Sequence, residues 1–368
     1  MSHRATLHAR GFFLITLLLV FCGLSGATAH AQVRAYVTNT DCDTVAVINT
    51  VTNTVVATIP VGSHPFGVAI TPDGTRAYVA NFGGTVSVID TVTNTVIATV
   101  PVGGTPGAVA ITPDGARVYI ANGSSNSLSV IDTGTNTVVD TVLVGVPSRG
   151  VAITPDGSRL YVTNQNETIT VIDTATGMVL STIPLPGESI ALGVIFTPDG
   201  TRAYVEDHSE FLNIIDTASN TLVAHILQGL FHDTLTITAD GTRIYWSTAV
   251  SIRVFVLDTS TNAVVNTISL GILNTPTDSA LTPDGAHLYT TNVQNTASII
   301  DTATNTLAAT IPDIGCFGSA HRIAIAEVPQ VPKSKSDCKG GGYLEFGPPA
   351  GPFRNQGQCI SYVEAHSK

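Results

Sequence analysis

A four-residue phrase, Thr-x-Asp-Gly, constrains this chain more than any other feature: it starts at Thr71, Thr112, Thr154, Thr197, Thr238 and Thr282. Each copy is followed by a tyrosine-bearing apolar segment such as "RAYVAN" and then by a run such as "TVSVIDTVTNTVIATV". The same pieces therefore come round every 41 to 44 residues. A period of that size, built from short Val- and Thr-rich runs alternating in steps of two, describes one four-stranded antiparallel meander per repeat. In the first turn, proline presets φ, aspartate bonds nearby amides and glycine takes up positive φ; in the second, "DTVTNT", Asp and Thr again bond amides and Asn tolerates the left-handed region. The four strands of a unit are labelled A (before Thr-x-Asp-Gly), B (with the tyrosine), C and D.

Counting strands predicts how the array ends. B strands carry Tyr36, Tyr78, Tyr119, Tyr161, Tyr204, Tyr245 and Tyr289, which makes seven, yet only six A strands precede a Thr-x-Asp-Gly turn. One apolar strand without a turn, "HRIAIAE" at 321–327, supplies the seventh. Paired with the N-terminal B strand it closes an all-β, seven-bladed propeller over residues 32–328, leaving no long sheet edge to aggregate.

The cysteines bear on the same closure. Cys42 follows the first B strand and Cys316 precedes the last A strand, at one end of the same blade, so a Cys42–Cys316 disulfide is predicted. Cys338 and Cys359 bracket a C-terminal segment, 338–368, joined by a Pro- and Lys-containing linker at 329–337. That segment is too short for a core of its own and calls for a staple, which this pair supplies; no nearby Cys or His completes a four-ligand metal set.

At the other end, residues 1–31 place Arg4 and Arg10 before the apolar run "GFFLITLLLVFCGLSG" and small residues at Ala29 and Ala31. They read as a cleaved export signal, with delivery to periplasm, surface or medium and no stable membrane insertion afterwards. The chain is 43% hydrophobic and 12% charged, with a net charge of −11. That balance argues against nucleic acid as a partner, since phosphate binding rests on clustered Lys and Arg.

With "YVTN" at Tyr161–Asn164, "TPDG" upstream and "VIDTATG" downstream, the repeats resemble the YVTN family of β-propellers of bacterial and archaeal surface-layer and secreted proteins. The resemblance covers residues 33–327 and implies a seven-bladed, exported interaction module. Related propellers include lactonases and the propeller subunit of quinoprotein amine dehydrogenases. The cysteine-bracketed tail is similar to C-terminal segments of other secreted bacterial proteins. Blade 5 departs from the consensus with "YVED" and blade 6 with "YWST".

Propellers bind ligands at the end of the central channel where A strands begin. Aligning the A strands puts Phe66, Gly107, Arg149, Leu192, Asp233, Thr277 and His321 at one mouth position, and Gly67, Ala108, Gly150, Gly193, Thr234, Asp278 and Arg322 at the next. Arg149, His232, Asp233, Asp278, His321 and Arg322 form either a polar ligand site or a solvated rim at which they pair with one another. Glu206, Asp207, His208 and Glu210, assigned to the loop leaving the fifth B strand, form either a divalent-cation site or a charged turn facing water. His225 and Trp246 read as sheet and packing residues.

No Gly-x-Ser-x-Gly elbow, His-Glu-x-x-His motif or phosphate-cradling glycine loop is present. The sequence therefore favours a monomeric, non-enzymatic binding scaffold without a cofactor, its partner a protein or a cell-surface glycan. A lactonase-like hydrolase with a metal-assisted site at the channel mouth is the alternative, and an electron-transfer accessory a weaker third.

Overall fold

The computed structural model describes residues 32–186, 190–207, 211–227, 234–247, 251–271, 274–315, 322–330, 335, 338–339 and 356–366. Within them lie 28 strands forming seven four-stranded sheets. Blade 2 shows the pattern: Pro65–Ile70, Arg76–Asn81, Thr85–Asp90 and Thr95–Pro101 lie side by side in chain order, each antiparallel to the last. Blade 1 joins the two ends of the chain. Its strand A, Ile323–Val328, pairs with Gln32–Asn39, Val37 opposite Ile323 and Val33 opposite Glu327. The ring closes by the predicted pairing.

Each Thr-x-Asp-Gly turn is held by its own side chains. Thr112 Oγ1 donates to Asp114 Oδ1 at 2.6 Å, the same oxygen accepts the Ala116 amide at 2.9 Å, and the Arg117 amide donates to Thr112 Oγ1 at 3.0 Å. These bonds to the charged form hold the Asp114 carboxyl below the usual carboxylate range, first through Thr112 and then through Ala116. Gly115 at the tip has φ of 72°, a conformation that glycine adopts without penalty.

The second turn does more than reverse the chain. Tyr78 of blade 2 donates from Oη to Asn136 Oδ1 at 2.7 Å, in the Asp-Thr turn of blade 3. Tyr245 does the same to Asn305 at 3.0 Å, and Tyr289 of blade 7 reaches the Thr50 carbonyl of blade 1 at 3.1 Å, across the closure. Arginines two residues before the tyrosines add to this clamp, as where Arg159 Nη1 donates to Thr217 O at 2.8 Å. Blade 4 has Gly177 where the others have Asn, and Tyr119 bonds the Thr174 carbonyl instead, at 3.1 Å. Burial pushes the tyrosine hydroxyls up, to about 12 for Tyr36 and Tyr289.

The core lies between blades. Ala35, Val37, Ala46 and Ile48 of blade 1 pack against Tyr289, Ala297, Ile299 and Ile311 of blade 7, and similar clusters fill the other interfaces. Trp246 is buried and stacks on Phe255 at 5.3 Å, in keeping with a packing role.

Cys42 is disulfide-bonded, while its predicted partner Cys316 lies outside the described residues. Cys338 and Cys359 are joined by a disulfide. Around that staple Val363, Ile360 and Tyr362 gather, on a short helix, Gln356–His366. The proposed export signal, 1–31, also falls outside the described residues. Among those described, no helix is long and apolar enough to cross a membrane.

Candidate functional site at the channel mouth

Where strand A begins, its pairing with strand B slips. In blade 4 Ser148 faces Asn164 but Gly150 faces Thr163, which leaves Arg149 out of register. Blade 7 repeats the slip, with Pro276 opposite Asn292 and Asp278 opposite Thr291. In blades 2, 3 and 5 the pairing likewise resumes only at Val68, Val109 and Val194. Bulges of this kind re-aim side chains, and here they serve the axial opening. The result is a cavity of about 470 Å³ lined by Phe66, Arg149, Leu192, Glu206, Thr234, Asp278 and Arg322 over a floor of small residues that includes Gly67, Ala108 and Gly193.

Charge in this cavity is unevenly matched. Asp278 accepts from Thr234 Oγ1 at 2.7 Å and from the Ile323 amide at 2.9 Å, and lies 3.6 Å from Arg322 Nη1. Arg322 also covers the Phe66 ring, its guanidinium carbon 4.8 Å from the centroid. Phe66 in turn stacks on Phe82, 4.9 Å between centroids and 22° between planes. Asp278 and Arg322 are thus drawn into the ring's own bonding. Arg149 differs: it is exposed and has no hydrogen-bond or ion-pair partner among the described residues.

Glu206 and Asp207 are not in a loop, as the sequence suggested; they end the B strand Arg202–Asp207 and both are buried. Adjacent strand residues face opposite ways, so the two carboxylates do not converge. Glu206 lines the channel, in room made by Gly193, where a Cβ would sit 2.5 Å from Glu206 Oε1. Asp207 takes the place of the asparagine that ends the regular B strands. Asn81 Nδ2 donates to Ser87 Oγ at 3.0 Å, whereas Asp207 Oδ2 accepts from Asn213 Nδ2 at 2.8 Å. Donor and acceptor have exchanged sides. Asn213 Oδ1 then contacts His225 Nδ1 at 2.7 Å, and the imidazole stacks on Phe211 at 3.9 Å between centroids.

His208, Glu210, His232, Asp233 and His321 lie outside the described residues. Among those described, no group of three His, Cys, Asp or Glu is arranged to hold a metal ion. Sequence reasoning aligned Phe66 and Thr234 with the mouth but gave neither a role, and it passed over Phe82. The signal for Phe66 was a phenyl ring where the other blades carry Gly, Arg, Leu, Asp, Thr or His. On the opposite face, open grooves run between successive turns, one of about 610 Å³ lined by Asp73, Arg76 and Asp114. Those are residues of the repeat itself, whereas the mouth is lined by residues that differ from blade to blade.

Comparison with known proteins agrees with this architecture. A family model described as "Lactonase, 7-bladed beta-propeller" matches residues 89–183, less than half of the chain, a span that includes Arg149. No curated protein matches the sequence. Among solved structures, hydrazine synthase from Kuenenia stuttgartiensis is similar over 73% of this chain and 92% of its own, with 24% identity and a TM-score of 0.67. A functionally unknown protein from Desulfotomaculum acetoxidans is similar over 80% of this chain and 99% of its own, at 20% identity and a TM-score of 0.70. The dihydro-heme d1 dehydrogenase NirN covers 81% of this chain and 76% of its own, at 15% identity and 0.62. At these identities the likeness is one of fold.

Proposed function

We propose that this protein is an exported binding module whose ligand site is the channel mouth, with Arg149 receiving an anionic group of the ligand. One observation carries the reading: Arg149 is an exposed guanidinium beside a cavity of about 470 Å³, without a partner among the described residues, while Arg322 and Asp278 are matched to each other. An arginine left open over small and apolar residues is suited to a carboxylate, which its planar fork meets through two parallel bonds. Acidic surface glycans and proteins presenting a carboxylate are the partner classes this chemistry admits. Two disulfide-bonded sites, at Cys42 and at Cys338 with Cys359, together with the apolar leader, support export.

The test is calorimetric titration of the oxidised protein with a panel of acidic sugars and small carboxylates, repeated on Arg149→Ala. Binding that weakens about 10- to 100-fold in the variant supports the reading, as expected for loss of a charge-assisted hydrogen bond. Binding of every panel member unchanged by the substitution would sink it.

The match of residues 89–183 to the lactonase model favours a second reading, ester-bond hydrolysis at the same mouth. There Glu206 would take a proton from water as it attacks a lactone carbonyl, Arg149 would steady the tetrahedral oxyanion, and the proton would pass from Glu206 to the ring oxygen as the ring C–O bond breaks. Ring opening of simple lactones, lost in Glu206→Gln, distinguishes this reading from binding alone.

A further inference from the structure

This inference rests on the binding reading of the mouth and names the class of ligand. Glycines recur around the inner circle, and packing explains three of them. A Cβ on Gly67 would lie 2.2 Å from the Gly107 carbonyl oxygen, one on Gly150 would lie 2.2 Å from the Leu192 carbonyl oxygen, and one on Gly193 would meet Glu206. Gly107 is different. Its φ is not positive, and the nearest atoms to an added Cβ would be Phe82 Cε1 at 3.8 Å and Ala121 O at 4.0 Å, which are ordinary contacts. Neither backbone conformation nor neighbours demand glycine there, so its missing side chain leaves usable space above blade 3.

The two flanks of that space are chemically distinct. On blade 2 stands Phe82, 38% exposed, stacked on Phe66, which itself lies against Arg322. On blade 4 stands Arg149, exposed and unpartnered among the described residues. We propose that the gap over Gly107 is a slot for a flat aromatic carboxylate, its ring lying against Phe82 and the glycine floor and its carboxylate held by Arg149. Ring-on-ring stacking favours a planar ligand, and the guanidinium fork matches a carboxylate. Buried Glu206 and the Asp278 carboxylate line the mouth cavity together with Arg149 and disfavour an anion of higher charge.

The experiment is calorimetric titration of the full oxidised chain with naphthoate, naphthamide and cyclohexanecarboxylate. Naphthoate is expected to bind one site, about 10- to 100-fold more tightly than naphthamide. Phe82→Ala weakens it about 3- to 10-fold, the loss of one aromatic pair. Gly107→Leu fills the slot and abolishes binding, with an unchanged thermal midpoint showing that the ring is intact. Naphthoate binding to Gly107→Leu as to the parent, or no naphthoate binding at all, overturns the proposal. Equal binding of cyclohexanecarboxylate and naphthoate, both dependent on Arg149, removes the aromatic slot but leaves the mouth as an anion site. Arg149 independence of all three removes the proposal together with the binding reading beneath it.

Discussion

The two faces of the ring are built under different rules. On the turn face the six blades with a Thr-x-Asp-Gly turn repeat the same bonds: Thr112 to Asp114, Thr154 to Asp156 and Thr282 to Asp284 are each 2.6 Å. Tyrosines there reach the next blade's turn in all seven interfaces, from Tyr36 to Asn94 through to Tyr289 and the Thr50 carbonyl. On the mouth face the equivalent positions hold Phe66, Gly107, Arg149, Leu192 and Thr277, five different residue types. Where the blades must agree to close, the residues agree. Where closure asks nothing, the residues diverge and can serve a ligand.

The largest effect should come from breaking closure itself. A chain ending before Ile323 lacks strand A of blade 1 and exposes the backbone edge of Gln32–Asn39, which now pairs with Ile323–Val328. Such a chain is expected to lose cooperative unfolding and to aggregate, as followed by circular dichroism and size-exclusion chromatography. Next comes a substitution pair on the mouth face. Gly150→Ala forces a Cβ toward the Leu192 carbonyl and should cost about 1 to 3 kcal/mol or more. Gly107→Ala, with only ordinary contacts, should change stability by less than about 0.5 kcal/mol. Urea denaturation of both variants tests this, and equal losses would erase the distinction between packing glycines and the open one.

The repeat period, the turns and the closure were legible in the sequence because each depends on chemistry local to one repeat or on counting. The seven tyrosines were counted, but their bonds to the next blade's asparagines were not foreseen. Tyr78 and Asn136 are 58 positions apart, and only the packing of blade on blade brings them together. Their signal was present as a tyrosine and an asparagine in fixed order in most repeats. Acidic character suggested a loop for Glu206 and Asp207, yet both are buried at the end of a strand. Asn213, standing where regular blades place Ser or Thr, was the compensating clue. Alignment set Gly107 in the column of Phe66 and Arg149, apart from Gly67 and Gly150, but whether a neighbouring backbone blocks a side chain at each of them was not legible in the sequence.

A smaller effect, divided among the turns, is the pH dependence of the turn face. Asp114, Asp156, Asp199, Asp240 and Asp284 have carboxyls held below their ordinary range, in each case chiefly by the hydroxyl of the threonine two residues before. A lowered folded value means that the unfolded chain binds protons first, so this stability is present above about pH 4 and is lost as pH falls through the folded values. Thermal midpoints measured from pH 5 down to pH 2 should fall most steeply below about pH 4. Asp114→Asn keeps the accepting oxygen but removes the charge, and should flatten that slope slightly. At the alkaline end, Tyr36 and Tyr289 stay protonated to about 12, so stability drops as pH rises from 10 toward that value.

The smallest effect tests the regularity of the turn face at its one lapse among the six Thr-x-Asp-Gly turns. Prolines of successive turns sit beneath the next blade's turn glycine: an added Cβ on Gly115 would lie 3.3 Å from Pro72 Cδ, on Gly157 3.3 Å from Pro113, on Gly200 3.4 Å from Pro155 and on Gly241 2.9 Å from Pro198. Blade 6 has Ala239 instead, and Gly285 beyond it would meet nothing within 4 Å. The turn itself is unchanged, since Thr238 Oγ1 bonds Asp240 at 2.5 Å, the Arg243 amide donates to Thr238 Oγ1 at 3.1 Å, and Gly241 keeps φ of 71°. Ala239→Pro therefore meets a backbone that five sibling turns already give to proline, and it both restricts the unfolded chain and restores the missing contact. A gain of about 0.4 to 1 kcal/mol is expected, read as a rise in the urea midpoint with unchanged slope. A loss instead would mean that the blade 6 turn departs from its siblings in solution, and that the irregularity of the mouth above it extends through the blade to the other face.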